Sequence, residues 1–436
     1  MAVTRITDSD IDGLFKRAYE NYRVNLFPRL TPLLANMKRG KAGGTERMRW
    51  GAGNLYWDVV TGRPVGASAS ALGKLPPSAQ AGEKQASIGI SRTYVTREID
   101  GLAIKSTQGS KSSFVPIVKK VTEEAMDAAK MFQQEILHGA GNGFKALITT
   151  ASTTTSIIVQ SPYGVAGAGR GSLLLGKGQF VTVRDATNSW AILGSATISA
   201  ITLSGDSATL TLDTAISGMA AGDAVVAANS ATDDSYNAVP DGLIKITNRG
   251  GSYGTVCGLD ASTYARWDAT RMVAGTDTPD ASQPSEMDVW DLITRVANTS
   301  GKNAQESPGE FLLLTTHGII KKLAESFLGQ RTWDMGKKVQ LKGGFGALEL
   351  CGLPLVGDLY CPAGTIYLIH LPSVAFVDLQ DFQKLSHEDS GSVRFIDGFD
   401  AYQVNWGAYW NVATIQRNAH GSITGYTDAT RYDHGV

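Results

Sequence analysis

Residues 112–139 read SSFVPIVKKVTEEAMDAAKMFQQEILHG, the clearest helix in the chain. Ser112 or Ser113 supplies an N-cap, Pro116 fits the first turn, where its missing N–H costs nothing, and Gly139 closes the helix. Phe114, Val118, Val121, Ala125, Ala128, Phe132 and Ile136 form one apolar stripe at helical spacing. Lys119, Lys120, Glu123, Glu124, Asp127 and Lys130 fall largely off it. The spacing predicts an amphipathic helix on the order of 35 Å long.

On the N-terminal side, Thr45 to Ile104 has extended character. Met48, Trp50, Tyr56 and Val59 suggest one strand system; Ile88, Ile90, Tyr94, Val95 and Ile99 suggest a returning one. Between them, Arg63 to Ala86 is dominated by Gly, Ala, Ser and Pro, including Pro76-Pro77. This predicts a long hairpin with a large tip, its arms reaching roughly 40 Å at about 3.3 Å per residue. Such a hairpin buries no core by itself and wants a surface on another chain. Before it, Lys38 to Gly44 reads as a linker. Thr7 and Asp8 cap a helix carrying Ile11, Leu14, Phe15, Ala18, Tyr19 and Tyr22, which Pro28 ends.

On the C-terminal side, Gly139-Ala140-Gly141-Asn142-Gly143 stops the helix, and composition shifts at about Thr149. Through Thr232 the chain is rich in Thr, Ser, Ala, Val and Gly and poor in charge. Phe180–Val183, Ala196–Leu203, Ala208–Leu212 and Asp223–Ala227 read as strands, with Gly205-Asp206 as a turn. A small separate β domain is expected. After Val239-Pro240 the pattern is mixed. Ser285 and Asp288 form a capping box before Val289, Leu292, Ile293 and Val296. Phe311–Leu314 is a buried-type strand leading into a helix with Ile319, Ile320, Leu323, Phe327 and Leu328. From Val339 onward strand-like runs dominate, as in Ile366–Ile369 and Tyr409–Ile415. No internal repeat of 20–50 residues is present.

The 436 residues suffice for two or three domains. Lys+Arg number 40 and Asp+Glu 41, so the chain lacks the basic excess of a dedicated nucleic-acid binder. Cys257, Cys351 and Cys361 are too few and too far apart for a disulfide framework or a Cys-x-x-Cys pair; core or surface packing in a reducing cytosol is expected. The first residues carry no apolar signal core, and no run approaches the roughly 18 apolar residues that span a bilayer. Asn298-Thr299-Ser300 matches a glycosylation sequon without a secretion context.

Chemistry-bearing motifs are near misses. Gly171-Ser172-Leu173-Leu174-Leu175-Gly176-Lys177-Gly178 resembles a P-loop, but Gly178 stands where Ser or Thr should hold magnesium, and three leucines suit a strand better than a phosphate cradle. Gly139–Gly143 lacks dinucleotide spacing and follows a helix. Gly205-Asp206-Ser207 lacks the closing Gly of a nucleophile elbow. His138, His317, His370, His387, His420 and His434 are scattered, with no zinc-ligand spacing. His387-Glu388-Asp389 reads as a solvated loop, and Asp233-Asp234 is too short for a calcium loop. Phe395, Phe399, Trp406, Tyr409 and Trp410 have only Arg394 and Arg417 nearby, so packing in a core or subunit interface is expected over base stacking. His317, just after a strand, is the single residue an enzyme reading would test; a polar residue at a helix start is its plainer account. No catalytic, cofactor or metal residue is assigned.

The ordered set is the informative feature: N-terminal helical arm, long hairpin, long amphipathic helix, β-rich insert, mixed α/β region, late strands. It resembles the major capsid proteins of tailed bacteriophages, the Hong Kong 97-type fold. Pro240-Asp241-Gly242-Leu243-Ile244, Tyr264-Ala265-Arg266-Trp267 and Gly352-Leu353-Pro354-Leu355-Val356-Gly357-Asp358 before Pro362-Ala363-Gly364 are similar to phrases in such proteins. The resemblance covers almost the whole chain. It implies an α+β fold with an N-terminal arm (1–44), an E-loop (45–104), a peripheral (P) domain segment with its spine helix (105–148), a β-rich insertion domain (149–238), an axial (A) domain with connecting P-domain segments (239–394), and P-domain strands with the C-terminus (395–436).

It further implies a structural subunit, not an enzyme, that self-assembles as pentamers and hexamers into an icosahedral head shell in the host cytoplasm. The partners implied are a separately encoded scaffolding protein, a portal and, where present, a decoration protein. Packaged DNA would lie on the inner face without sequence-specific binding, and no membrane or cofactor is involved. Some family members join an E-loop Lys to an Asn of another subunit; Lys74 and Lys84 are placed in the tip, but no partner Asn is identified and cross-linking is not expected. With Thr7 to Phe27 read as the arm helix, no fused scaffold segment and no large maturation cleavage are expected. The alternatives are an encapsulin-like compartment shell, a tail or fibre protein, and an α/β enzyme.

Overall fold

The computed structural model describes residues 33, 37–41, 49–51, 53–62, 82–102, 117–165, 170–249, 253–331, 348–385 and 394–428. The expected N-terminal helix, the hairpin tip with Lys74, the cap at Ser112 or Ser113 with Phe114 and Pro116, His387–Asp389 and His434 lie outside these residues.

The chain opens with β1 (Lys38–Lys41), β2 (Arg49–Gly51), β3 (Asn54–Val60), β4 (Glu83–Gly89) and β5 (Ser91–Asp100). β2, β3 and β4 form a three-stranded antiparallel sheet. Alternation along β3 and β4 turns Leu55, Trp57, Ala86 and Ile88 inward, and all four are buried in the main core. The base of the hairpin is therefore rooted in the core of the body rather than in one of its own. Lys84 lies in β4 opposite Val59, not in the tip. The returning segment also divides. After Ile90 the chain leaves the hairpin as β5 and pairs with residues 401–410 of a late strand. The sequence hides this seam because the run is β-favouring throughout; only Gly89 marks it, its carbonyl accepting the Asn411 amide at 2.6 Å. Lys38–Lys41, expected as linker, pairs in parallel with Ala375–Asp378 at a sheet edge. Backbone pairing needs no apolar pattern, so nothing in the residues announced it.

Helix α1 (Ile117–His138) follows. Val121 and Ala125 pack on Ile99, Val404 and Trp406, as the stripe predicts. Ala129, rather than Ala128, is buried, and toward the C-terminal end the buried face widens to include Gln133, Gln134, Leu137 and His138.

β6 (Phe144–Thr153), β7 (Ser156–Gln160), β8 (Phe180–Asp185), β9 (Ala191–Ser204), β10 (Ser207–Leu212) and β11 (Ala224–Ala227) close a barrel in the order β10-β7-β6-β11-β8-β9. Period-two alternation fills it: Ile157 with Val159, Val181 with Val183, Ala196 with Ile198 and Ala208 with Leu210 all point inward and are at most 1% exposed. The four expected strands are present. The strand system begins at Phe144, however, and position 149 falls inside β6. The Thr-rich run after Ile148 hid the β6–β7 hairpin because Ala151, packed on the barrel core, is its one apolar residue before Ile157, too little to show a period of two. The barrel has its own core, and its first and last segments meet where Asn237 N–H donates to Asn142 O at 3.4 Å. Residues 144–238 expressed alone should therefore fold cooperatively. Circular dichroism melting and amide NMR dispersion check this; a disordered fragment would show that the barrel depends on the body.

The remainder comprises α2 (Leu243–Thr247), β12 (Thr255–Val256), β13 (Leu259–Asp260), β14 (Thr270–Val273), α3 (Glu286–Ser300), β15 (Phe311–Thr315), α4 (His317–Arg331), β16 (Leu348–Leu350), β17 (Leu353–Gly357), β18 (Ile366–His370), β19 (Val374–Lys384), β20 (Arg394–Phe395), β21 (Ala401–Thr414) and β22 (Gly421–Thr424). The expected capping box opens α3: Ser285 Oγ accepts from Asp288 N, and the Asp288 carboxylate accepts from Ser285 N. β14, β22, β18, β15, β17 and β16 form a six-stranded sheet with α3 and α4 against it. β1, β19, β21 and β20, with β5 also on β21, form a five-stranded sheet. Late strands are thus shared. β21 lies in the sheet beside α1, whereas β22 pairs in parallel with β14 in the other sheet.

Candidate functional surfaces

The near-miss motifs have structural roles. Residues 171–178 run as turns into β8, and Leu174 is buried with Tyr163, Ile244 and Tyr360, so the segment is neither a strand nor a phosphate cradle. Gly205, at φ 56°, makes the β9–β10 turn. Asp234 accepts both Nε and Nη2 of Arg184 at 2.9 Å and the Thr182 hydroxyl. Burial pushes its carboxyl up, but these bonds outweigh that and hold it below the usual carboxylate range. His317 is exposed at the first residue of α4, with its ring over Gly357. Cys257 and Cys361 are buried and Cys351 partly so, all free thiols; burial pushes Cys257 up to about 12. Among the described residues no His, Cys, Asp and Glu side chains group to hold a metal ion, and no helix is long and apolar enough to cross a membrane.

The histidines are less scattered than their numbering. His138 Nε2 lies 2.9 Å from Asp358 Oδ2 with both side chains fully buried, and Gln134 donates to the same oxygen. Asp358 Oδ1 accepts Tyr360 N–H at 2.9 Å, and Tyr163 Oη donates to Tyr360 O at 2.8 Å. The loop after β17 thereby fastens the end of α1, the barrel and the six-stranded sheet together. His370 and His420 also meet, at the crossing between the two large sheets. Beside them Arg417, fully buried, donates to five backbone carbonyls: Lys245, Ile246, Asn248, Tyr253 and Gly254. Sequence reading found none of these clusters; a lone Arg between two strands gives no local signal.

Trp406 and Trp410 are core residues, Trp410 stacked on Phe376 at 4.9 Å. Phe395 and Phe399 are instead more than half exposed. They lie with Leu102, 58% exposed, at one end of the five-stranded sheet, where Phe395 pairs with Tyr402 and Gly101 N–H donates to Asp400 O. Met287 and Trp290, 73% and 39% exposed, make a second apolar patch one turn apart on α3. Val60, 62% exposed, ends β3 at the base of the hairpin tip. Large exposed apolar groups at three separate edges suit a chain that is covered by other chains on several sides.

No protein-family model matches the sequence, and no curated protein matches it. Solved structures do. The fold is similar to a chain of the cyanophage A-1(L) capsid asymmetric unit, with a TM-score of 0.56 at 12% identity over 96% of this chain and 98% of that one. It is also similar to the capsid of a native GTA particle, with a TM-score of 0.50 at 8% identity over 98% and 100% of the two chains. An encapsulin complex from Synechococcus elongatus PCC 7942 matches more loosely, at a TM-score of 0.45 and 10% identity over 99% and 100%. The chain therefore has the mixed α and β fold of capsid proteins.

Proposed function

We propose that this chain is the major capsid protein of a tailed bacteriophage, a structural subunit that self-assembles into the head shell. The observation that carries the reading is the two-way likeness to the cyanophage A-1(L) capsid chain, 96% of one chain against 98% of the other. A match of that extent leaves little of either chain for a different architecture. The exposed apolar edges support it, because such surfaces find their use between subunits.

Within this reading β2–β4 and the tip are the E-loop, α1 is the spine helix of the P domain, and the five-stranded sheet completes that domain. The six-stranded sheet with α3 and α4 is the core of the A domain. We place the insertion domain at residues 144–238. Shells would be built from pentamers and hexamers around a portal, with a separate scaffolding protein. A formal net charge of -1 supports DNA packed against the inner face without a dedicated binding site. Negative-stain microscopy of the purified protein under assembly conditions should show closed isometric shells. Tubes, fibres or dispersed monomers under all conditions would overturn the assignment.

A further inference from the structure

No strand of the barrel pairs with either large sheet, and the barrel has its own core, so it is joined to the body by its neck and by side chains rather than through a shared sheet. The neck is two segments, 139–143 and 235–242, that run closely side by side. A Cβ on Gly141 would strike the Asp241 carboxylate, and one on Gly143 the Ser235 carbonyl. Beside the neck, Lys145 Nζ pairs with Glu135 Oε2 of α1 at 2.5 Å. A cleft lined by Phe132, Glu135, Asn142, Lys145, Tyr163 and Leu174 opens between α1 and the barrel, so the two surfaces are not packed throughout.

The turn after β7 makes the other attachment. It runs Ser161-Pro162-Tyr163-Gly164, with Ser161 at φ 57°, Tyr163 at φ 62° and Gly164 at φ 75°. Left-handed backbone is costly for a residue with a Cβ, and the position before a proline favours extended backbone. Ser161 and Tyr163 are thus both held against their preference. Such a conformation persists where the surroundings over-determine it. Here the surroundings lie across the domain boundary. Tyr163 is 3% exposed, packed among Ala140 of the neck, Leu174 of the barrel, and Ile244 and Tyr360 of the body, and its hydroxyl donates to Tyr360 O at 2.8 Å. The seat is itself fixed. Tyr360 N–H donates to Asp358 Oδ1 at 2.9 Å, and the other carboxylate oxygen is held by His138 and Gln134 of α1.

We propose that the turn Ser161–Gly164 is a sprung latch: the seated Tyr163 ring holds the barrel in one direction against the body and holds the turn in its left-handed form, and when the ring leaves its seat the turn relaxes and the barrel pivots on its neck. Backbone strain and docking are then one equilibrium. A change that relieves strain in the seated turn tightens the docking, and a change that empties the seat frees the barrel without unfolding it. A tyrosine that merely filled space would tie neither the backbone of the turn to the body nor the direction of the barrel to one side chain. Every contact involved lies within one chain, so the latch operates in free and assembled subunits alike.

Spin labels at Thr202→Cys on β9 and Asn298→Cys on α3, both exposed positions, report the direction of the barrel in the full chain. Cys351→Ser removes the one native thiol that is not buried, and dilution with unlabelled chain removes distances between subunits. The native turn should give one narrow label-to-label distance. Tyr163→Ala should give a broad distribution while the strands of the barrel and of both sheets keep their protection from hydrogen exchange. Ser161→Gly, which suits the left-handed turn, should slow exchange about fivefold across 358–361, on the far side of the boundary. The latch is overturned if Tyr163→Ala keeps a single narrow distance, or if the chain with its native turn already gives a broad one. It is overturned equally if Ser161→Gly leaves exchange at 358–361 unchanged, which would assign the form of the turn to the barrel alone. Should Tyr163→Ala not fold, the Ser161→Gly measurement decides.

Discussion

Replacing Arg417 with Met should destabilise the protein by about 3–5 kcal/mol, the cost of emptying one side of a buried, hydrogen-bonded charge site. The side chain is fully buried, and its guanidinium satisfies the carbonyls of Lys245 and Ile246 at the end of α2 together with those of Asn248, Tyr253 and Gly254, at 2.7–3.2 Å. Burial lowers its pKa and Asp268 opposes that, but an arginine remains charged. Met fills similar space and offers no donor, so these carbonyls lose their partner. Against a total of about 5–15 kcal/mol, such a loss removes a large part of the margin. Arg417→Lys keeps the charge but not the planar fork and should fall between. Urea unfolding monitored by tryptophan fluorescence reads the effect as a lower midpoint at unchanged slope. A loss below about 1 kcal/mol would mean that water replaces the guanidinium without cost.

Removing residues 67–81 should abolish stable shells while leaving the subunit folded. The cut spares β3 and β4, whose ladder runs to the pair of Val60 with Glu83, and Thr61 and Gly62 N–H both donate to Gly82 O. Leu55, Trp57, Ala86 and Ile88 stay in the core, so the subunit should lose little of its own stability. Under the capsid reading, the lost contacts are those to a neighbouring subunit. Sedimentation and electron microscopy should find soluble, cooperatively unfolding subunits and few or no shells. Shells of ordinary stability from the shortened chain would remove the hairpin from the assembly mechanism.

Local pattern carried most of the elements. The stripe from Val121 to Ile136 placed α1, the Ser285–Asp288 box placed the start of α3, and the apolar runs at Phe311 and Ile366 placed β15 and β18. Each of these signals lies within a few residues of sequence, where period and capping chemistry are set by the residues themselves. Their order along the chain was enough to suggest the capsid-type architecture.

What the sequence left open are the choices made by distant partners. β5 looks like a continuation of the hairpin until the edge of β21 takes it, and Lys38–Lys41 looks like linker until the edge of β19 does. The division of late strands between two sheets, with β21 in one and β22 in the other, depends on which edge is open nearby. Gln134, His138, Asp358, His370, Arg417 and His420 each read as isolated polar residues. Burial makes an unpaired polar group costly, so the folded chain collects them into hydrogen-bonded clusters at the joints between barrel, helix and sheets. Sequence periodicity determined the elements and their faces; only the tertiary structure decided the joints, because a joint is a pairing between residues that no local pattern links.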